Sequence, residues 1–246
     1  MAYILSVVVP AYNESKTIIQ VVERLLSSLS AINFEIIIVD DCSKDDTAVI
    51  SQLLTGKYDN VRLVKHKINK GKTEALKTGF QECSGEIVMI QDGDLEYDPK
   101  DIMRVIQPIL DNQADLVYGS RLLDPDHKNV FMVKSLVANK TLTFLSNLFT
   151  RYKFSDVETC YKAFRCSLIK NMIITSERFG FEIEVTAKIS KLRLRTCEIP
   201  ISYYCRSYAE GKKIGIMDGI HAIGYILKYN LFTSVKKSFR EIPKNK

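Results

Sequence analysis

The chain has 246 residues, of which 46% are hydrophobic and 26% charged, and its formal net charge is +6. This composition excludes a disordered or fibrous protein and suffices for one large domain with a buried core. A charge this modest does not call for nucleic acid, and no nucleic-acid partner is expected.

The charge is uneven: acidic residues gather near 92–101, whereas 204–246 is rich in Lys and Arg. That asymmetry points to a metal or polar site in the first half and an anionic acceptor or membrane surface near the end. The six cysteines show no CxxC spacing, so they read as reduced thiols of a cytoplasmic protein rather than zinc ligands. No signal peptide is expected, and no apolar run approaches the roughly 20 residues that span a bilayer. If the protein serves a membrane, it lies on the cytoplasmic face.

Residues 4–9 (ILSVVV) form a continuous apolar run, as expected of a strand covered on both faces. Ser15 can cap a helix whose apolar positions Ile18, Ile19, Val22, Leu25, Leu26 and Leu29 recur at helical spacing. Further strands are expected at 34–39, 61–65, 86–91 and 115–119, with helices starting near Asp45, after Gly71 and after Pro99. Strands alternating with single helices predict a mostly parallel central sheet with helices on both faces, its ligands at the carboxyl ends of the strands. Further on, helices are expected over 131–151, 181–192 and 217–236, and a strand bent at Pro200 over 194–204. Without repeat or linker, residues 1–216 read as one domain. Residues 217–246 read as an amphipathic helix and basic tail that join it or touch a membrane surface.

Three motifs sit at strand ends. VVVPAYNES (7–15) delivers Asn13 and Glu14 where a ligand would lie, although a turn and helix start explain it equally. IIIVDDCSKDDT (36–47) ends a strand in Asp40 and Asp41; an acid there can accept from a base edge or a ribose hydroxyl. Helix capping accounts for Asp45 or Asp46 but not for Asp40. QDGDLEYDP (91–99) places Asp92 and Asp94 around one glycine, so a bend can aim both carboxylates at one hard cation that also meets substrate phosphates. The three histidines and the Tyr203–Tyr204 pair read as structural, and the 131–151 stripe as core or as a rest for a lipid tail.

PAYNE, VDDCSKDDT, NKGKTEALKTGF (69–80), QDGDLEYDP and YGSR (118–121) stand in the order and spacing of the family 2 glycosyltransferases, which the chain resembles over about residues 4–220. SDVETCYKAFR (155–165), FGFEIEV (179–185) and EIPISYYCRSYAEGKKI (198–214) resemble the dolichyl- and polyprenyl-phosphate hexose synthases of that family. The resemblance implies an α/β GT-A nucleotide-sugar-binding fold, an inverting hexosyl transfer from a GDP- or UDP-sugar, and Mg²⁺ or Mn²⁺ as cofactor. It implies donor binding by Pro10, Tyr12, Glu14, Asp40, Lys72 and Asp92, with Asp92, Asp94 and Glu96 on the metal. Glu96 stands where the synthases often carry Gln. Arg121, Lys134, Arg206, Lys212 and Lys213 match cations that handle the acceptor phosphate. Arg121, Arg206 and Lys212, with Asp156, make up the implied catalytic set. Many members of that branch carry transmembrane helices that this sequence lacks; peripheral attachment is expected instead, and a homo-oligomer is compatible with it.

The acceptor can also be approached through chemistry. A sugar hydroxyl needs a general base, whereas a phosphate monoester with a second pKa of about 6 is already mostly dianionic at neutral pH. The loop CRSYAEGKK (205–213) supplies cations to position such a group. Asp156, or Glu158, would be the base for a hydroxyl acceptor; for a phosphate acceptor Asp156 would orient the cations or the sugar. The alternatives are a hydroxyl-directed transferase of polysaccharide or lipopolysaccharide assembly, a nucleotide-sugar binder without activity, and a nucleotidyltransferase. Against the last, PAYNES lacks a glycine-rich loop.

Overall fold

The computed structural model describes residues 3–123, 133–205 and 216–241. Among the described residues seven strands form one sheet, in the spatial order Val61–Lys65, Phe34–Asp40, Leu5–Ala11, Ile87–Ile90, Lys162–Arg165, Leu116–Ser120, Thr196–Pro200. Strands β1 (Leu5–Ala11), β2 (Phe34–Asp40), β3 (Val61–Lys65) and β4 (Ile87–Ile90) are parallel. Strands β5 (Leu116–Ser120) and β7 (Thr196–Pro200) pair in parallel, and β6 (Lys162–Arg165) runs antiparallel between β4 and β5. The apolar runs form the centre for the reason expected: all of β2 and β4 is buried, as are Leu5 to Val9 of β1. Pro10 lies beyond the last β1–β4 pair, Val8 with Ile90, so its missing N–H interrupts no ladder there.

Helices α1 (Ile18–Ser28), α2 (Thr47–Lys57), α3 (Lys72–Glu82) and α4 (Ile102–Leu110) connect these strands. Strand order moves outward from β1 to β3 and then returns to β4. Because such crossovers are right-handed, the reversal puts α3 on the opposite face from α1 and α2. The same reversal opens a crevice at the carboxyl ends of β1, β2 and β4. In the second half, α5 (Val133–Phe149) and α7 (Phe181–Ile189) pack with α8 (Ile216–Leu231), and a short α6 (Cys166–Asn171) comes directly after β6. No described helix is long and apolar enough to cross a membrane.

Several expectations change. Ser15 does not cap α1: its amide is held by Asp45, a turn on the Glu14 carbonyl intervenes, and Thr17 stands at the N-cap. Strand β6 is new relative to the pattern, because its four residues include a lysine. Helix α8 buries Ala222, Ile226 and Tyr229 and leaves Ile220, Ile223, Leu227 and Leu231 exposed. The helix ends before residue 236, and the segment beyond it is no loose tail: Phe239 is buried and pairs with Met172.

Candidate active site

The crevice is a cleft of about 440 Å³. Pro10, Tyr12 and Glu14 line it from the end of β1, and Asp92, Gly93, Asp94 and Glu96 from the end of β4. Asn69, Gly71 and Lys72 contribute from the entry to α3, Arg178 and Phe179 from the entry to α7, and Tyr203 from beyond β7. Close approach of the first two segments depends on glycine. A Cβ at Gly93 would lie 3.2 Å from the Pro10 carbonyl oxygen and 3.3 Å from Glu14 Cγ. Thr17 Oγ1 ties them further, donating to the Gly93 carbonyl at 2.8 Å.

The two aspartates after β2 divide their work. Asp41 accepts from the Lys70 and Gly71 amides at 2.8 and 2.6 Å and meets His66 Nδ1 at 2.7 Å, so it folds the 69–71 loop onto the sheet. His66 spends its other ring nitrogen on Thr78, in keeping with a structural role. Asp40 is 3% exposed; one oxygen accepts from the Ser43 amide, and buried Oδ1 has no hydrogen-bond partner. A buried carboxylate oxygen without a partner is costly unless a ligand donor meets it. Asp41, not Asp40, lines the cleft wall, so Asp40 sits just behind it. Asn13, expected beside the ligand, instead bridges the Ser43 hydroxyl and the Lys44 amide and does not line the cleft.

Lys72 reaches Asp92 at 2.8 Å and Glu182 at 3.3 Å. Burial pushes its pKa down, but the charges of Asp92, Cys160 and Glu182 outweigh that and hold it well above the ordinary lysine value. Asp94 accepts from the Glu96 amide, and Glu96 accepts from the Tyr203 hydroxyl at 2.7 Å. The three carboxylates expected on the metal therefore share one cleft without converging: among the described residues no three such groups could enclose an ion by themselves. An all-oxygen set short of a full cage still fits a hard cation that takes further ligands from a diphosphate.

Behind Tyr203 lies a buried pair. Arg121 donates Nε and Nη2 to Asp156 at 2.7 and 2.8 Å; the Arg121 amide and Asn139 Nδ2 donate to the same carboxylate. The guanidinium also sits 5.0 Å from the Tyr203 ring centre. Burial raises the Asp156 pKa, but Arg121 and these donors more than compensate and leave it below the ordinary aspartate value. Asp156 is fully buried and accepts four hydrogen bonds, two of them from the Arg121 guanidinium, an arrangement that orients the cation. Glu158 differs: its Oε1 is buried without a partner, and burial and Glu182 push its pKa up to about 7 against the pull of Lys162 and Arg121.

Arg206, Lys212 and Lys213 lie outside the described residues, as does the side chain of Lys134 in the first turn of α5. Sequence reasoning missed Tyr203 by assigning it to the core; its signal was its place directly before the basic loop. It also missed Lys162, wholly buried in β6 over the Tyr118 ring and donating to two carbonyls; burial lowers its pKa to about 8.

Comparison with known proteins decides the family, because residues 6–173 match the description Glycosyl transferase family 2. The chain belongs to glycosyltransferase family 2. It is an enzyme of that class with the GT-A fold. A UDP-N-acetylglucosamine–dolichyl-phosphate N-acetylglucosaminyltransferase of Methanococcus voltae is 32% identical over 91% of this chain and 93% of its own length. A dolichol-phosphate mannosyltransferase of Pyrococcus furiosus is 28% identical over 85% of this chain and 59% of its own length. Glucosyl-3-phosphoglycerate synthase of Mycobacterium tuberculosis, solved with Mn²⁺, UDP and phosphoglyceric acid, superposes with a TM-score of 0.68 at 22% identity. That superposition covers 94% of this chain and 80% of the other, and supports the fold.

Proposed function

We propose that this glycosyltransferase moves a hexose from a nucleoside-diphosphate sugar to a polyprenyl phosphate at the cytoplasmic face of a membrane. The observation that carries the acceptor class is the Arg121–Asp156 fork: the conspicuous carboxylate of SDVETCYK is committed to holding a cation and has no lone pair left for a proton. A cation fixed this way suits an acceptor that arrives already ionised. Two relatives named for dolichyl-phosphate acceptors accord with it.

In this reading the nucleoside lies along Pro10, Tyr12 and Glu14, against the wall formed by Asp41 with Asp40 behind it. Asp92 and Asp94 would hold a divalent cation, Mg²⁺ or Mn²⁺, which when bound neutralises the departing diphosphate. Glu96, held by Tyr203, shapes that corner and completes the acidic wall. Lys72 fixes Asp92 and Glu182 relative to each other. Arg121, oriented by Asp156, positions the acceptor phosphate together with Lys134, Arg206, Lys212 and Lys213 from the neighbouring segments. The phosphate oxygen attacks the anomeric carbon from the face opposite the leaving group, so the configuration inverts.

Glu158 supports a second reading. Its Oε1 is buried without a partner and its pKa is pushed up to about 7, so in this reading Glu158, behind the cleft lining, takes the proton of a sugar hydroxyl. A panel of UDP- and GDP-hexoses, scored by hydrolysis and by transfer to a short polyprenyl phosphate, tests the assignment. Transfer from at least one donor, abolished by EDTA, is the expected result. Hydrolysis without transfer to the lipid phosphate, but with transfer to a sugar hydroxyl, would favour Glu158 as base.

A further inference from the structure

Helix α5 is inverted with respect to water. Its buried face is mostly polar, with Asn139, Thr143 and Ser146, and Thr150 just past its end, beside Leu142. These groups serve the neighbouring loop: Asn139 donates to Asp156, and Thr143 Oγ1 accepts from the Val157 amide. Several apolar side chains point outward instead. Val137, Phe144 and Leu148 are 59%, 62% and 60% exposed, and their helical spacing puts them on one stripe.

Helix α8 packs on α5 and extends the same surface. Its inner side is satisfied by Ala222, Ile226 and Tyr229, yet Ile220, Ile223, Leu227 and Leu231 remain exposed outside, with Phe232 directly after them. Among the described residues, nine of the sixteen exposed large hydrophobics, and all three exposed phenylalanines, belong to α5, α8 and Phe232. A concentration of that kind marks an interaction surface rather than ordinary scatter.

Charge identifies the occupant. Segments 133–153 and 216–241 contain eight basic and two acidic residues, an excess equal to the +6 of the whole chain. Lys140 is exposed beside the α5 stripe and Lys228 beside Leu227, while Lys236, Lys237 and Arg240 are exposed just beyond α8. A second copy docking through the same patch would set cations against cations. An apolar stripe bordered by cations suits an anionic bilayer surface, and a helix of 16 or 17 residues is long enough to lie flat in its headgroup region.

We propose that α5 and α8 together form one docking face for anionic lipid. It rests on the lipid-phosphate reading above, since the helix that would lie on the bilayer also holds, through Asn139 on its inner side, the Asp156 that orients Arg121. The test uses the full chain and three variants: Phe144→Ser with Leu148→Ser, Leu227→Ser with Leu231→Ser, and Lys140→Glu. Flotation is scored with phosphatidylcholine vesicles and with vesicles containing phosphatidylglycerol. Wild type should float only with the anionic vesicles, and either serine pair should weaken binding by at least ~10-fold, two apolar side chains no longer entering the lipid. Lys140→Glu should weaken it less and make it less salt-sensitive.

Turnover of a short, water-soluble polyprenyl phosphate should be unchanged in the serine variants, whereas turnover of acceptor embedded in vesicles should fall. Equal flotation of wild type and the α5 serine pair would overturn the proposal. So would wild type that dimerises through this face without binding vesicles, read as a mass that halves in the serine pairs. If flotation behaves as stated but no lipid phosphate is ever glycosylated, the docking face stands and the acceptor assignment fails.

Discussion

Asp94 and Asp156 are both buried carboxylates near the cleft, yet their surroundings give them different tasks. Asp94 lines the cleft and accepts from the Glu96 amide two residues on. Asp94→Ala should leave the fold intact and lower turnover by orders of magnitude; wild-type rates for that variant, or for wild type in excess EDTA, would refute the cation assignment. Asp156 belongs to a buried ion pair, and removing one partner of such a pair typically costs about 3–5 kcal/mol. Asp156→Asn should therefore lower the melting temperature, while turnover drops by only ~10- to 100-fold from a displaced Arg121.

The pH dependence separates Asp156 from Glu158. The folded-state pKa of Asp156 is depressed, so its stabilisation is present above the ordinary value of about 3.9 and fades as pH falls through the lower folded value. Glu158 has the opposite sign. The unfolded chain releases that proton near pH ~4.3, but the folded protein keeps it until about 7, so stability declines as pH rises across that window. Melting curves from about pH 4 to 8 should show this decline in wild type and a shallower one in Glu158→Gln. An unchanged slope would mean that Glu158 ionises normally.

At the level of elements, the loop into α3 depends on a single backbone conformation. Gly71 has φ of 88°, and a Cβ there would stand 3.2 Å from the Arg178 Cα. Gly71→Ala should cost on the order of 1–3 kcal/mol and misplace Lys72, raising the KM for donor more than it lowers kcat. Thermal melts with donor kinetics check this; a variant with wild-type KM would show that the loop does not position the donor. The segment after α8 carries a second prediction. Because Phe239 is buried, removing everything beyond residue 232 would disturb the fold as well as the charge. Lys236→Glu with Lys237→Glu isolates the charge, and flotation with anionic vesicles should weaken, each basic residue contributing about 1 kcal/mol near headgroups. Undiminished flotation would remove these lysines from the membrane contact.

For the whole molecule, legibility in the sequence tracked burial. The first half could be read because β1, β2 and β4 are covered on both faces, and so appear as mostly apolar runs, broken only by Ser6 and Glu35, that end in polar motifs. The second half resisted where local pattern and tertiary environment disagree. Strand β6 hides a lysine whose charge is met by carbonyls and by the Tyr118 ring brought together in the fold, and α5 turns its polar face inward to serve Asp156. The division of labour between Asp40 and Asp41 depends on the 69–71 loop folding back, which adjacent identical residues cannot announce. Tyr203 entered the site through a strand that pairs far from it in sequence.

Whether the acceptor arrives ionised decides between the two readings, and kcat and KM for a polyprenyl phosphate and for the corresponding free alcohol measure it. The phosphate should turn over and the alcohol should be inert. Replacing Arg206 or Lys212 should raise the KM for the phosphate steeply, because phosphate charge is left uncompensated. Comparable turnover of alcohol and phosphate, with a loss of roughly 10²- to 10⁴-fold in Glu158→Gln as expected for a missing general base, would contradict the account.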